Sequence, residues 1–144
     1  MSQYPRVATL LASATRVTAV ANSGAAGVDC ARAKRIACLL DVTAMAGAVG
    51  DTLDVFIDML APDGTTWLNA GHFAQVAGNA AAVKHYLVLD SASVAATSFN
   101  VTADCAAGVT KPYLFGSQIR ARHTLVDAGA HGQSATFSVS AFLQ

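Results

Sequence analysis

Charged residues are scarce in this 144-residue chain: they make up 12% of the sequence, whereas about a quarter is usual for a soluble domain. The 9 acidic and 9 basic side chains cancel, which gives a formal net charge of zero. A phosphate-binding surface needs a positive balance, so we do not expect nucleic acid as a direct partner. Because 53% of the chain is hydrophobic and near-neutral proteins tend to associate, we expect much of the surface to be hidden against other copies or a partner lattice.

Long hydrophobic runs are also absent. Apolar stretches are repeatedly broken by Asp, Arg, Gly and Asn, and none approaches the roughly 20 apolar residues of a transmembrane helix. The segment from Val7 to Ala14 is a poor match to a secretory signal, because Arg6 is the one charge before it and Arg16 follows closely. We therefore expect neither a membrane partner nor secretion.

Motifs that would indicate a metal or a nucleotide are missing as well. Cys30, Cys38 and Cys105 are odd in number and contain no C-x-x-C pair, which argues against a disulfide framework and a zinc site. We interpret them as small core hydrophobes in a reducing compartment. The glycine-rich stretches at 24–27 and 47–50 lack the Lys-Ser/Thr of a P-loop, so we interpret them as turns.

Alternation of apolar and polar residues is the main signal that is present. Between Arg35 and Thr43, Ile36, Cys38 and Leu40 fall on one side of an extended chain, which predicts a half-buried strand. The segment 52–61 repeats the pattern. It ends at Pro62-Asp63-Gly64, a turn sequence, and 65–76 is the predicted return strand of a hairpin.

Further strands follow at intervals of ten to fifteen residues. They are predicted at Thr15–Asn22, Val83–Leu89, Ser98–Thr102, Gln118–Leu125 and Ala135–Leu143. With about eight strands and no convincing amphipathic helix, the sequence predicts one all-β domain over residues 15–144, an antiparallel β-sandwich or jelly roll.

Residues 1–14 precede the first predicted strand and contain Tyr4, Val7, Leu10 and Leu11. We expect an N-terminal arm that docks on a neighbouring subunit, as an apolar segment outside a core often does in an oligomer. The alternative is an edge strand of the chain's own sheet.

Two aspartates on one strand face invite a reading as paired catalytic carboxylates. Asp54 and Asp58 are four residues apart, which is about 13 Å along a strand. Glycosidase carboxylates lie roughly 5 to 10 Å apart. We interpret the pair as part of a solvated outer face.

The remaining candidates for chemistry are weaker still. His123, Asp127 and Ser134 supply the residue types of a hydrolytic triad, but no G-x-S-x-G motif supports them. The histidines have no metal-ligand spacing, and two of them stand beside glycine as expected of loops; they are His72, His85, His123 and His131. We therefore predict no catalytic, cofactor-binding or metal-binding residues, no cofactor and no enzymatic activity.

Small basic groups occur at two places. Arg120 and Arg122 point the same way from one strand, and Arg32, Lys34 and Arg35 cluster near another. We interpret both groups as solvated faces, with contacts to acidic groups of a protein partner as the alternative.

Several runs of residues resemble small β-sandwich virion proteins of tailed bacteriophages. The resemblance spans about residues 36–143 and rests on hairpin and strand patterns. These are Leu40-Asp-Val-Thr-Ala44, Asp51-Thr-Leu-Asp-Val-Phe-Ile57, Pro62-Asp-Gly-Thr-Thr-Trp67, Phe73-Ala-Gln-Val76 and Gln133-Ser-Ala-Thr-Phe-Ser-Val-Ser140. One departure is Phe56 and Asp58, where such proteins usually have Lys or Gln; it makes the outer face more apolar and acidic.

The resemblance implies a non-enzymatic capsid decoration (cement) protein. Such a protein binds the major capsid protein lattice, self-associates as a trimer at three-fold points, and is found on the capsid surface after synthesis in the host bacterial cytoplasm. The first alternative is a head–tail connector or tail subunit, which would form a ring. The second is a carbohydrate-binding module, for which Trp67, Tyr86 and Tyr113 would be the aromatic platform; a lone Trp in a hairpin is otherwise a core residue.

Overall fold

The computed structural model describes residues 4–17, 26–93, 103–130 and 132–144, and all regular structure within these ranges is β-strand. The strands are β1 (Arg6–Val17), β2 (Val28–Asp29), β3 (Arg35–Ala46), β4 (Thr52–Leu60), β5 (Trp67–His72), β6 (Val76–Ala77), β7 (Val83–Asp90), β8 (Gln118–Val126) and β9 (Ser134–Leu143). The predicted all-β class is confirmed. No helix in these ranges has the length and apolar character needed to cross a membrane.

The strands form two antiparallel sheets that pack as a β-sandwich. One sheet has four strands in the order β1-β9-β3-β7, and the other has five, in the order β2-β8-β4-β5 with β6 also paired to β4. Apolar side chains from both sheets meet in a single core. Ile36, Val42, Leu53, Ile57 and Phe137 are fully buried there, so the alternation in the sequence decides which face of each strand turns inward.

The N-terminal segment is part of this sandwich. Residues 6–14 belong to β1, which pairs with β9 from Arg6 opposite Leu143 to Val17 opposite Ser134. Leu10 and Leu11 are buried in the core. The expected arm at residues 1–14 is therefore corrected over the part that is described: it is an edge strand of the chain's own sheet, and no domain boundary falls at residue 14.

Most other strand predictions agree with the structure, with differences at their ends. The predicted strand 65–76 is two short strands, β5 and β6. Of the predicted strand Thr15–Asn22, the described part ends with β1 at Val17. The rest of it, and the predicted strand Ser98–Thr102, lie outside the described residues.

The predicted turn between β4 and β5 is present. Asp63 accepts hydrogen bonds from the Thr66 hydroxyl and from the backbone N–H groups of Thr65 and Thr66. These hydrogen bonds lower the pKa of Asp63 to about 2, with the largest effect from the Thr66 hydroxyl and smaller effects from the backbone N–H groups. Gly64 has a φ of 74°, a left-handed conformation that glycine adopts without strain.

The three cysteines are free and buried. Cys30 and Cys38 lie in the core, as predicted, whereas Cys105 lies in the segment that covers the outer face of the five-stranded sheet. Burial raises the pKa of Cys30 and that of Cys38 to about 12. The thiol form is therefore strongly favoured at both positions.

Candidate interaction surface

The outer face of β4 differs from the prediction. Asp54 and Asp58 do point away from the core, but they are only 9% and 2% exposed, and every residue of β4 after Thr52 is buried. The solvated face predicted for this pair is wrong. The face is covered by arginine side chains from β8 and by the chain between residues 103 and 111.

Asp58 is the centre of a network of polar side chains. One carboxylate oxygen accepts hydrogen bonds from Arg122 Nε at 2.8 Å and Arg120 Nε at 3.3 Å, and the other accepts one from Asn69 Nδ2 at 3.2 Å. Arg122 also donates to Asp104. Burial alone would lower the pKa of Arg122, but the hydrogen bonds and charges of Asp104 and Asp58 outweigh it and raise this pKa. Two arginines and two aspartates thus neutralise one another.

The same arginines cover the aromatic rings of this face. The Arg120 guanidinium lies 4.2 Å from the centroid of the Trp67 ring, and that of Arg122 lies 4.2 Å from the Phe56 centroid. A small cavity of about 290 Å³ remains, lined by Asp58, Trp67, Asn69, Asp104, Arg120 and Arg122. Trp67 is half-buried, so it is neither a core residue nor a ring with both faces open to a sugar.

A second polar group on this face surrounds His72, which lies in β5 and is buried, not in a loop as predicted. Its Nε2 lies 2.8 Å from an Asp54 carboxylate oxygen, and its Nδ1 lies 2.9 Å from the carbonyl oxygen of Cys105. Gln75 Nε2 donates to both oxygens of Asp54 at 3.0 Å. Both ring nitrogens of His72 thus lie within hydrogen-bond distance of an oxygen atom of the chain.

The chain between residues 103 and 111 completes the cover along β5. The backbone N–H of Cys105 donates to Asn69 Oδ1 at 2.7 Å, that of Lys111 donates to the Ala70 carbonyl, and the His72 N–H donates to the Val109 carbonyl. The outer face of the five-stranded sheet and the free edge of β5 are thus largely closed by the chain's own groups.

The outer face of the four-stranded sheet is different, because it carries exposed apolar side chains. We call this set the outer patch. Its members are Val7, Ala37, Leu39, Tyr86, Val88 and Phe142, with exposures of 71% for Val7, 67% for Tyr86, 39% for Val88 and 37% for Phe142. Isolated exposed apolar residues are ordinary, but a contiguous set on one sheet face is typical of a binding surface.

Two ion pairs border the outer patch. Arg35 and Asp90 are directly opposite on β3 and β7 with 2.9 Å between Arg35 Nη2 and Asp90 Oδ2. Asp41 and Lys84 are opposite on the same two strands with 2.6 Å between Lys84 Nζ and Asp41 Oδ2. Arg35 was predicted to lie in a basic cluster, but its charge is matched by this aspartate.

The residue types of the hydrolytic triad lie in separate settings. His123 points into the core from β8 and contacts the edge of the Phe137 ring. Burial is the main cause, and the positive charge of Arg16 a smaller one, that lowers the pKa of His123 to about 4. Asp127 accepts hydrogen bonds from the backbone of Gly129 and Gly132 in the turn before β9.

The other predicted positions fall as follows. Ser134 begins β9, and its strand partners are Val17 and Ala46. His85 lies in β7 and hydrogen-bonds to the Ala74 carbonyl oxygen, whereas His131 lies outside the described residues. Within the described ranges no group of three or more metal-binding side chains is arranged to hold a metal ion.

In the described ranges, fold and surface together define an antiparallel β-sandwich whose five-stranded sheet has its outer face covered by the chain's own side chains, whereas the four-stranded sheet carries exposed apolar side chains on its outer face. Comparison of the chain with family models, with curated proteins and with solved structures found no match.

Sequence reasoning did not single out Asn69, Gln75 or Asp104, which complete the polar networks of the closed face. The sequence did contain a signal that this face is covered. Phe56 stands between Asp54 and Asp58 at outward positions of β4, and an apolar ring between two acids indicates that other groups cover the face. The outer patch had a clearer signal: Leu39, Val88 and Phe142 stand at outward positions of alternating strands.

Proposed function

We propose that the protein is a non-enzymatic structural subunit of a bacteriophage virion, namely a capsid decoration (cement) protein that binds and stabilises the head lattice. The resemblance of the strand and hairpin motifs to small virion proteins suggests the class. The β-sandwich architecture is compatible with it, although many unrelated functions use the same architecture.

The observation that carries the proposal is the contrast between the two outer faces. A subunit that works inside an assembly has to expose apolar surface until it meets another subunit, and the outer patch is such a surface. The opposite face has its charges paired internally, through Asp58 with Arg120 and Arg122. The major capsid protein lattice is the proposed partner, the capsid surface the proposed location, and self-association is part of the proposal.

A head–tail connector or tail subunit is the alternative within the same class, since a ring also needs an apolar contact face. The carbohydrate-binding module is less well supported, because Arg120 covers one face of the Trp67 ring. Tyr86 is well exposed, but it stands among aliphatic neighbours of the outer patch.

Quantitative mass spectrometry of purified virions tests the proposal. A decoration protein is expected at hundreds of copies for each particle, in fixed ratio to the major capsid protein. About a dozen copies or fewer would instead indicate the connector or tail role. Absence of the chain from virions that are otherwise intact would contradict both.

Binding to heads that lack the protein is the complementary test. Purified protein added to such heads is expected to saturate at a fixed ratio to the capsid protein and to raise the temperature at which the heads break open. Heads that bind no added protein would contradict the decoration role.

A further inference from the structure

The outer patch is arranged in rows that run across the four strands of its sheet. Strand pairing places Val7, Phe142, Ala37 and Val88 in one row, and Thr9, Ser140, Leu39 and Tyr86 in the next. Large and small side chains thus stand in neighbouring rows on the same strand, with Phe142 next to Ser140 on β9 and Leu39 next to Ala37 on β3.

The ion pairs at the two ends of these rows form a regular pattern of charge. On β3, Arg35 stands before the two rows and Asp41 after them. On β7 the order is reversed in charge, with Asp90 opposite Arg35 and Lys84 opposite Asp41. Positive and negative charges therefore alternate around the four corners of the β3–β7 part of the patch.

This pattern is complementary to itself. Consider a two-fold axis that lies in the plane of the face, runs across the strands and passes between these two rows. Rotation about it turns each row onto the other. Arg35 of one copy then faces Asp41 of the second, and Asp90 faces Lys84. The same rotation places Phe142 over Ser140, so a large side chain meets a small one.

The size of the face agrees with a weak specific pair. The face is four strands wide, at a spacing of about 4.8 Å, and about eight residues long, at a rise of about 3.3 Å for each residue. Its area is therefore about 500 Å² for one copy, and a pair would bury about 1,000 Å² in total. Specific interfaces begin near about 1,000 Å² in total. Sheets that pack face to face accept such a contact at a spacing of about 10 Å.

We propose that the outer patch is a self-association surface on which two copies of the chain pair face to face about this two-fold axis. The inference deepens the proposed function, because it names the surface and symmetry of the self-association. It differs from the trimer that the resemblance implies, since a face that pairs with itself closes at two copies.

Sedimentation equilibrium of the full chain over a dilution series tests the pairing. We expect a mass that rises with concentration from the 14.7 kDa protomer to twice that value. Val88→Arg is expected to weaken the dimer at least tenfold. Val126→Arg is the matched control, because Val126 is also an exposed valine in a strand but lies on the other sheet. The exposed fraction is 45% for Val126 and 39% for Val88. Val126→Arg is expected to leave the dimer unchanged.

A charge exchange tests the axis itself. The double variant Asp41→Lys with Lys84→Asp keeps a pair of opposite charges within each copy and leaves the net charge at zero. Across the proposed axis it sets like charges against Arg35 and Asp90, so the dimer is expected to weaken at least tenfold, and less at high salt.

Three results would overturn the proposal: a monomer at all concentrations, a trimer, or a dimer that Val88→Arg and Val126→Arg affect equally. An unchanged dimer in the charge exchange would refute the axis. Circular dichroism of each variant confirms that a lost dimer is not a lost fold. Because these are measurements on the free protein, their failure is separate from absence of the chain from virions.

Discussion

Replacing Asp58 by Asn tests whether the buried charge of Asp58 stabilises the outer face of the five-stranded sheet. Asp58→Asn keeps the shape of the side chain but replaces one oxygen by an NH₂ group. All three neighbours of Asp58 are donors, namely Asn69 Nδ2, Arg120 Nε and Arg122 Nε, so the new NH₂ meets a donor in either orientation. The substitution therefore removes hydrogen bonds and leaves a buried donor without an acceptor.

The magnitude follows from these contacts. Hydrogen bonds to charged groups contribute about 1.5 to 3 kcal/mol each, and a buried unsatisfied donor costs about 1 to 3 kcal/mol. Arg122 keeps its contact with Asp104, which limits the loss. We expect the free energy of unfolding to fall by about 3 kcal/mol, which for a chain of 144 residues lowers Tm by about 10 °C.

Urea denaturation and thermal unfolding followed by circular dichroism measure this loss. Asp41→Asn is the matched control, because Asp41 is also a strand aspartate paired with a cation but lies in an exposed pair, with 29% of its side chain and 63% of the Lys84 side chain accessible. Its cost should stay below about 1 kcal/mol. Equal losses in the two variants would refute the reasoning that burial sets the cost.

Three further predictions concern other parts of the fold. The pKa of His123 is about 4 in the folded protein and about 6.5 in the unfolded chain. The contribution of the neutral ring to the free energy of unfolding should therefore be fully present above pH 6.5 and fall by about 2 kcal/mol as the pH drops to 4. Urea denaturation midpoints that shift equally with pH in His123→Leu would contradict this. Gly116→Ala should lower the free energy of unfolding, measured by urea denaturation, by more than about 3 kcal/mol, because its Cβ would lie 2.0 Å from the Leu60 carbonyl oxygen. Gly71→Ala should cost clearly less, because its Cβ would meet only flexible side chains at 3.4 Å and beyond. Deletion of residues 1–14 should unfold the free protein, since most of β1 is lost; a deleted chain with an unchanged melting temperature would contradict the role of β1 as an integral strand.

The sequence was sufficient for the fold class because alternation is a local property. Ile36, Cys38 and Leu40 face the core as their spacing predicts, and the turn at Asp63 forms where Pro and Gly permit it. Burial of Asp58 was not predictable in this way. It depends on Arg122, 64 residues further along the chain, which reaches it only after β4 and β8 have paired.

The N-terminal strand shows a second limit of local patterns. The pairing of β1 with β9 shifts register between Thr9 and Leu11 and again between Leu11 and Ala14. These irregularities interrupt the two-residue period, so the segment does not look like a strand in the sequence. The side chain of Arg16 hydrogen-bonds to the carbonyls of Ala12 and Ala14, which stabilises the irregular backbone there.

The burial of the three cysteines makes the natural sequence a ready background for chemical labelling. Burial raises the pKa of the Cys30 and Cys38 thiols to about 12, so they stay protonated at pH 7, and the thiolate is the form that maleimides attack. A new cysteine at an exposed position such as Val49, which is 83% accessible and lies between β3 and β4, outside the outer patch, would be the preferred target for a fluorophore or spin label. Copies labelled in this way can be counted on single particles, and the separation between two labels can be measured, without first replacing any native cysteine.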